Sequence, residues 1–186
     1  KAVQETSGLP ANRVIGTGTS LDTARFRYNI STKLHVNVED IQAYVVGEHG
    51  DSQVAVWSSA MVGGFPLEDY AKQVGVTLDK KEIAEHTKNG GAEVIGLKGA
   101  TFYGIAMSVS NIVEAIMKDD SAILPAACVL DESFGEWAGV AVSLPCRIGW
   151  EGIETCLRIP MNEEEQAAMD KSVAILKDFW AQVKEQ

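Results

Sequence analysis

The hydrophobic residues of this chain change their spacing along its 186 positions. Apolar residues at helical spacing predict a helix that begins at Thr19 or Ser20. An apolar run at 43–46 predicts a buried strand. Further strands are predicted at 122–130, 140–148 and 154–159. A last helix is predicted from Asn162 to about Gln186. Three successive antiparallel strands followed by a helix indicate an α+β fold, with antiparallel strands packed against long helices, and not a doubly wound sheet.

The middle of the chain mixes short strands with helices. Strands are predicted at 53–57 and 61–67. A polar helix over 79–88 is expected to end near Gly90 and Gly91, because glycine commonly follows the last residue of a helix. A long apolar helix is predicted over 101–117. Its buried side is expected to carry the aliphatic residues Ile105, Val109, Ile112, Val113 and Ile116.

The composition predicts one globular domain over residues 1–186. Hydrophobic residues make up 46% of the chain, and no apolar run approaches the ~20 residues that a membrane-spanning helix needs. A membrane partner is therefore not expected. The formal net charge is −10, and no concentrated basic stripe is visible, so a nucleic-acid partner is not expected either.

The cysteines predict free thiols. Cys128, Cys146 and Cys156 are odd in number and show no C-x-x-C spacing. A disulfide framework and a structural zinc site are therefore both disfavoured, and no metal is expected. Buried free thiols are typical of a reducing compartment, so we expect a cytoplasmic protein.

His49 is the first candidate for chemistry. It lies at 47–52, in the run Gly-Glu-His-Gly-Asp-Ser, directly after a predicted strand. Glycines allow a sharp exit from a strand, and histidine can gain and lose a proton near neutral pH. Such a histidine can be an acid/base group or a packed, hydrogen-bonded residue.

Asp22 and Arg25 lie three residues apart on the first predicted helix, so they project from the same side of it. They can form a simple ion pair within the helix. Alternatively, the carboxylate can hold a histidine while the guanidinium binds a substrate carboxylate through two parallel hydrogen bonds. Spacing does not decide between these interpretations.

Four segments, in their order and spacing, resemble the L-lactate dehydrogenase branch of the lactate/malate dehydrogenase family. They are RVIGTGTSLDTARFR at 13–27, GEHGDS at 47–52, GLKGAT at 96–101 and AMSVSN at 106–111. The resemblance covers essentially the whole chain but only the C-terminal half of the family's sequence. It implies a catalytic, substrate-binding domain, with the N-terminal Rossmann domain that binds NAD absent from this sequence.

The resemblance implies a role for each residue of the candidate set. His49 would donate and accept the proton, Asp22 would orient its imidazole, and Arg25 would bind the substrate carboxylate. The implied reaction interconverts pyruvate and L-lactate with NADH and NAD. Without its NAD-binding half, the chain is expected to be inactive.

Three further positions are implied to line the site. Thr101 would lie near the substrate side chain, Ile105 would pack on the nicotinamide, and Thr17 would lie near the carboxamide. The segment at 14–21 is itself similar to a dinucleotide fingerprint, yet Leu21 stands at the third glycine position. Its glycines can instead make a tight turn or pass close to a cofactor held elsewhere.

Other readings concern substrate, assembly and regulation. A bulkier L-2-hydroxy acid or malate is an alternative to lactate, and a non-catalytic oligomerisation module is an alternative from a different class. The resemblance implies a homotetramer or dimer. Many bacterial relatives respond to fructose 1,6-bisphosphate through an arginine and a histidine. Arg27 matches that arginine, but Gln42 stands in place of the histidine, so weak or absent activation is expected.

Overall fold

A computed structural model describes residues 1–184 of the chain. Two three-stranded antiparallel sheets organise it, in the orders β1-β2-β3 and β4-β5-β6. The first sheet contains β1 (Ile41–Val46), β2 (Val54–Val62) and β3 (Phe65–Pro66). The second sheet contains β4 (Ala122–Val129), β5 (Ala141–Gly149) and β6 (Gly152–Cys156). The antiparallel pairing confirms the predicted α+β class.

Six α-helices pack around these sheets within residues 1–184. They are α1 (Ala2–Ser7), α2 (Ser20–Leu34), α3 (Leu67–Gln73), α4 (Lys80–Lys98), α5 (Tyr103–Lys118) and α6 (Glu163–Lys184). Within the same range, no helix combines the length and the apolar character needed to cross a membrane. The predicted α2 and the strands β1, β4 and β5 are confirmed to within one or two residues.

Strand β1 lies between two apolar cores. Val45 packs in one core with Phe26 and Ile30 of α2. Val46, which projects to the opposite face, packs in the other core with the second sheet and with Met169 of α6. A strand that is covered on both faces needs apolar residues at consecutive positions, and this explains the continuous apolar run that predicts it.

The beginning of α6 is held by a reciprocal capping arrangement. Asn162 Oδ1 accepts a hydrogen bond from the Glu165 backbone N–H (2.8 Å), and Glu165 Oε2 accepts one from the Asn162 N–H (3.1 Å). Glu165 also accepts hydrogen bonds from the backbone of Trp57 and Ser58 on β2. Asn162 is thus confirmed as the helix cap. Gln186, the expected end of the helix, lies outside the described residues.

The predicted end of the polar helix is wrong. Helix α4 continues through Gly90 and Gly91 and ends at Lys98, followed by the C-cap Gly99, whose φ is 81°. The two inner glycines leave room for the side chain of Arg25. A Cβ added at Gly90 would lie 3.0 Å from Arg25 Cδ, and one added at Gly91 would lie 3.6 Å from Arg25 Nη2. Here glycine permits a close tertiary contact and does not end the helix.

The predicted buried side of the apolar helix is also wrong in part. Helix α5 buries Ser108, Ile112 and Ala115. Ile105, Val109 and Val113, which were expected to be buried, are 36%, 46% and 49% exposed. The helix carries apolar residues around most of its circumference, so periodicity does not identify the side that faces the core.

Two strand boundaries differ from prediction because tight hairpins replace longer turns. Gly63 and Gly64, with φ of 56° and 88°, form a two-residue turn between β2 and β3. Positive φ at both positions suits such a turn, so residues 61–62 extend β2 instead of pairing with it. Likewise, β6 begins at Gly152, directly after a two-residue turn, and ends at Cys156.

Candidate active site

The loop after β1 is held by contacts with the second sheet and with α6, and it carries His49. The Gly47 N–H donates to the Ser143 carbonyl on β5 (3.0 Å), and the Glu48 N–H donates to Ser172 Oγ on α6 (2.9 Å). Gly47 has a φ of 90°, and a Cβ there would lie 2.7 Å from Ser172 Oγ. Only glycine fits this approach, and the loop turns the His49 side chain outward.

Helix α2 is attached to β1 by hydrogen bonds from one helix face. Thr19 Oγ1 donates to the Val45 carbonyl (2.6 Å), and Thr23 Oγ1 accepts from the Val45 N–H (3.0 Å). One turn further on, Arg27 Nε donates to another β1 carbonyl (2.8 Å). Residues four apart share a helix face, so these contacts set the rotation of α2. Asp22 is thereby held beside the loop that follows β1.

Asp22 joins His49 to Arg25. Its Oδ2 lies 2.6 Å from His49 Nδ1, and its Oδ1 lies 3.2 Å from Arg25 Nη1. The Asp22 side chain is 2% exposed, whereas that of His49 is 61% exposed. The structure therefore supports both interpretations of the Asp22–Arg25 pair at once: the two residues form an ion pair, and the carboxylate also holds a histidine.

The carboxylate changes the acidity of the imidazole. The hydrogen bond to Asp22 raises the pKa of His49 above its ordinary value of 6.5; partial burial opposes this rise, and the charge of Asp22 adds to it. Because Nδ1 faces Asp22, Nε2 is the ring nitrogen available to a ligand. This arrangement favours a protonated histidine that can give up its proton from Nε2.

A cavity of about 500 Å³ brings most of the predicted site residues together. Its lining includes Asp22, Arg25, His49, Thr101 and Ile105. Thr17 is not among the described lining residues; its carbonyl accepts a hydrogen bond from the Ser20 N–H (2.9 Å). The cavity is thus lined by a buried carboxylate, a guanidinium group, a partly exposed imidazole and the apolar side chain of Ile105.

The sequence analysis missed several polar residues of this cavity. Gln53, Asp51, Lys88 and Asn89 also line it. Lys88 Nζ pairs with Asp51 Oδ1 at 2.8 Å, and this contact lowers the pKa of Asp51. Asp51 belongs to the histidine loop and could have been suspected from its position. Lys88 lies on α4, which is distant in sequence, and no local signal marks it.

The glycine turn before α2 serves packing within the chain. Gly16 pairs with Ala127 of β4, and a Cβ at Gly18 would lie 1.8 Å from Ser143 Oγ. The same hydroxyl accepts a hydrogen bond from the Thr19 N–H (2.9 Å). The glycines thus make a tight turn, while Gly18 also lines the candidate cavity, so a close approach to a cofactor at this position stays a prediction. For a nicotinamide cofactor, the described residues offer Ile105, 36% exposed, as an apolar surface for a flat ring.

Comparisons with known proteins agree with this geometry. The sequence profile of the lactate/malate dehydrogenase alpha/beta C-terminal domain matches residues 19–186. The chain is 42% identical over 176 residues to the L-lactate dehydrogenase of Acetivibrio thermocellus, covering 93% of this chain and 55% of that protein. It is 43% identical over 178 residues to that of Nitratidesulfovibrio vulgaris strain DP4, covering 94% of this chain and 57% of that protein.

Solved structures give the same result. The minor L-lactate dehydrogenase of Enterococcus mundtii superposes with a TM-score of 0.90 at 38% identity, over 97% of this chain and 58% of that one. The L-lactate dehydrogenase of Clostridium thermocellum superposes with a TM-score of 0.86 at 40% identity, over 98% of this chain and 60% of that one. The chain thus spans a little over half the length of the relatives that it matches. It belongs to the lactate/malate dehydrogenase family and contains that family's alpha/beta C-terminal domain.

Proposed function

We propose that this domain is the catalytic part of an NAD-dependent L-lactate dehydrogenase, an oxidoreductase that interconverts pyruvate and L-lactate. The observation that carries the proposal is the shared contact of His49 and Arg25 with the buried Asp22, beside one cavity. The names of the relatives support the lactate branch. An interaction module would not require an acid, a cationic fork and an imidazole in this arrangement.

His49 is assigned the proton transfer. When bound, the nicotinamide cofactor supplies or accepts the hydride. In pyruvate reduction, protonated His49 donates from Nε2 to the ketone oxygen and becomes neutral; in lactate oxidation, neutral His49 removes the hydroxyl proton. Asp22, which is 1% exposed, stabilises the protonated form and holds the ring through Nδ1.

We assign to Arg25 the binding of the substrate carboxylate. Its guanidinium lies across the two glycines of α4 and keeps only one contact with Asp22, at 3.2 Å. A planar fork can bind a carboxylate through two parallel hydrogen bonds, which an ammonium group cannot do. Thr101 is assigned to the pocket near the substrate side chain and Ile105 to the nicotinamide. Thr17 lies outside the cavity lining, and it is assigned only to the turn near the carboxamide of the nicotinamide.

Helix α5 supports a covering partner for this domain. It exposes a series of large apolar residues: Tyr103, Met107, Val109, Val113 and Met117. A contiguous apolar surface of this kind marks an interface. We assign it to the protein's own N-terminal NAD-binding half and to further subunits of a homo-oligomer, and we expect the 186-residue chain to show no turnover without that half.

The activity can be tested in a protein that contains both halves. We expect pyruvate-dependent oxidation of NADH, and His49→Asn should lower kcat/KM by about 10²–10⁴-fold, the usual contribution of a general acid. His86, which lies on α4 outside the cavity lining, provides the matched control, and His86→Asn should retain the activity. Equal activity of the two variants would contradict the assignment of His49.

The substrate and the regulation are tested with the same preparation. The kcat/KM values for pyruvate, oxaloacetate and bulkier 2-oxo acids show which substrate the enzyme prefers. We expect the highest value for pyruvate. Arg27 contacts a β1 carbonyl and lies 4.9 Å from the ring centre of Tyr44, and Gln42 carries no charge. We therefore expect fructose 1,6-bisphosphate to leave the saturation curve unchanged.

A further inference from the structure

Three cysteines that are scattered in sequence meet in the second sheet. Cys128 lies on β4, Cys146 on β5 and Cys156 on β6. The Sγ atoms of Cys128 and Cys156 are 3.1 Å apart, those of Cys146 and Cys156 are 3.6 Å apart, and all three lie within 4.8 Å of one another. These are the only three cysteines of the chain. Their spacing in sequence does not reveal the cluster.

The separations match those of a thiolate metal site. A tetrahedral zinc–thiolate centre has Zn–S bonds of about 2.3 Å, which place its sulfurs about 3.8 Å apart. The two defined separations, 3.1 Å and 3.6 Å, lie slightly below that value, and the third is at most 4.8 Å. Three sulfurs from three adjacent strands therefore form a triangle of the right size, on a rigid part of the fold.

The cluster is also open on one side. Cys146 is fully buried at its base. Cys128 and Cys156 line a second cavity, of about 480 Å³, that is separate from the His49 cavity. Asp131 and Glu154 lie in the same lining. Carboxylates attract a cation, and the open side leaves room for a water or a carboxylate oxygen as a fourth ligand.

We propose that Cys128, Cys146 and Cys156 form a binding site for one thiophilic d¹⁰ cation, Zn²⁺ or Cu⁺. Soft sulfur ligands select such ions, and a three-sulfur site suits both a three-coordinate Cu⁺ and a Zn²⁺ that takes a fourth ligand from the cavity. Each sulfur binds as a thiolate and releases its proton to the solvent. The site would join β4, β5 and β6, and its occupancy would stabilise that sheet independently of catalysis. This proposal replaces the expectation, based on spacing, that the chain binds no metal.

The test uses the 186-residue chain, reduced and stripped of metal. It is titrated with Zn²⁺ against a chromogenic chelator and, without oxygen, with Cu⁺ against a Cu⁺-selective chelator. We expect one ion bound per chain in at least one titration, with protection of Cys156, the one partly exposed thiol of the cluster, from a thiol-reactive dye. Co²⁺ in place of Zn²⁺ should give a sulfur-to-metal charge-transfer absorption.

Variants identify the ligands. Losing a residue that only hydrogen-bonds to a metal ligand already lowers metal affinity by about 10–100-fold. Losing a ligand itself should cost more, so Cys128→Ser and Cys156→Ser should each weaken metal binding by more than about 100-fold. Thr155→Ser, which changes an exposed residue of the same cavity, should bind as the parent does. If a cysteine variant does not fold, alkylation of the folded parent chain gives the same test, and it should abolish binding.

Two results would overturn the proposal. One is substoichiometric binding of both ions by the reduced chain. The other is unchanged affinity in the cysteine variants or in the alkylated chain. Lactate dehydrogenase activity does not enter any of these measurements, so the metal site and the catalytic assignment succeed or fail separately.

Discussion

Replacing Asp22 with asparagine tests the central contact of the candidate active site. Asparagine keeps the shape of the side chain and can still accept a hydrogen bond from His49 Nδ1, but it removes the negative charge. The hydrogen bond to Asp22 is the largest cause of the raised pKa of His49, and the charge of Asp22 adds to it. A neutral amide oxygen accepts a weaker hydrogen bond from an imidazolium than a carboxylate does, and it supplies no charge. Asp22→Asn should therefore lower the pKa of His49 and leave Arg25 without its ion pair.

The size of the shift follows from the exposure of the imidazole. An opposite charge in direct contact shifts a pKa by about 1–3 units. The His49 side chain is 61% exposed, so solvent screening places the effect at the low end. We therefore expect a fall in the pKa of His49, and each unit of such a fall corresponds to about 1.4 kcal/mol of differential interaction between the two protonation states.

The assay is a proton NMR titration of the imidazole C–H signals in the 186-residue chain. The chain has three histidines, so the spectrum of His49→Asn identifies the relevant signal. Asp51→Asn is the matched control, because Asp51 is fully exposed and its partner is Lys88. A His49 pKa that is the same in Asp22→Asn and the parent chain, within the error of the titration, would refute the reasoning.

The same change has a kinetic consequence in a protein that contains both halves. In the proposed mechanism pyruvate reduction needs protonated His49, so its rate should fall as the pH rises through the pKa of that residue. Asp22→Asn should move this fall in rate to lower pH, because it lowers the pKa of His49. The stabilising contribution of the pair has the same sign: it is complete below the ordinary pKa of 6.5 and is lost as the pH rises through the raised pKa.

Three further predictions concern other contacts. Arg25→Lys should raise KM for pyruvate about 10–100-fold in steady-state assays, since a charged hydrogen bond contributes about 1.5–3 kcal/mol; an unchanged KM would contradict the role of the fork. Gly18→Ala should lower the free energy of unfolding by about 1–3 kcal/mol in urea titrations, because its Cβ would meet Ser143 Oγ. Gly63→Ala is the control, because φ is also positive at Gly63 but no atom lies close to the added Cβ. It should therefore lower the free energy of unfolding by less than Gly18→Ala does. Burial raises the pKa of Glu165, but hydrogen bonds from one hydroxyl and three backbone N–H groups outweigh it and hold the pKa below its ordinary value of 4.5. Stability from this carboxylate is present above pH 4.5 and is lost as the pH falls through the lowered pKa. Glu165→Gln should therefore flatten the acid side of the plot of unfolding free energy against pH, and an equally steep acid side would contradict this.

The fold was predictable wherever a local pattern matches a local cause. The apolar run of β1 reflects its position between two cores, and Asn162 followed by Glu165 signals a helix beginning through contacts that lie within four residues. The predictions from sequence are wrong where contacts between distant segments determine where a helix ends or which of its sides is buried. Gly90 is a typical stop signal, but in the fold it makes room for Arg25, which lies far from it in sequence. Periodicity carries no information about such contacts.

The residues of the candidate site were also predictable only where they lie in short segments with a recognisable pattern. His49, Asp22 and Arg25 lie in two short segments whose order and spacing resemble one family, and the structure brings all three together at one cavity. Lys88 reaches that cavity from the middle of a long helix, where it is indistinguishable from the surface lysines near it. The cysteine cluster depends on the pairing of three strands, and strand register cannot be derived from cysteine spacing.

The exposure of His49 separates two requirements of the proposed chemistry. The acidity of the imidazole depends on Asp22, which is held by α2 and β1 within this domain. Exclusion of water, which strengthens every charge interaction around a reacting carbonyl, is not provided by the described residues, since 61% of the His49 side chain is open to solvent. The raised pKa is therefore a property of the domain and should persist in the 186-residue chain. In the proposed mechanism turnover needs a partner that covers the cavity, so we expect the 186-residue chain to show the raised pKa of His49 without turnover.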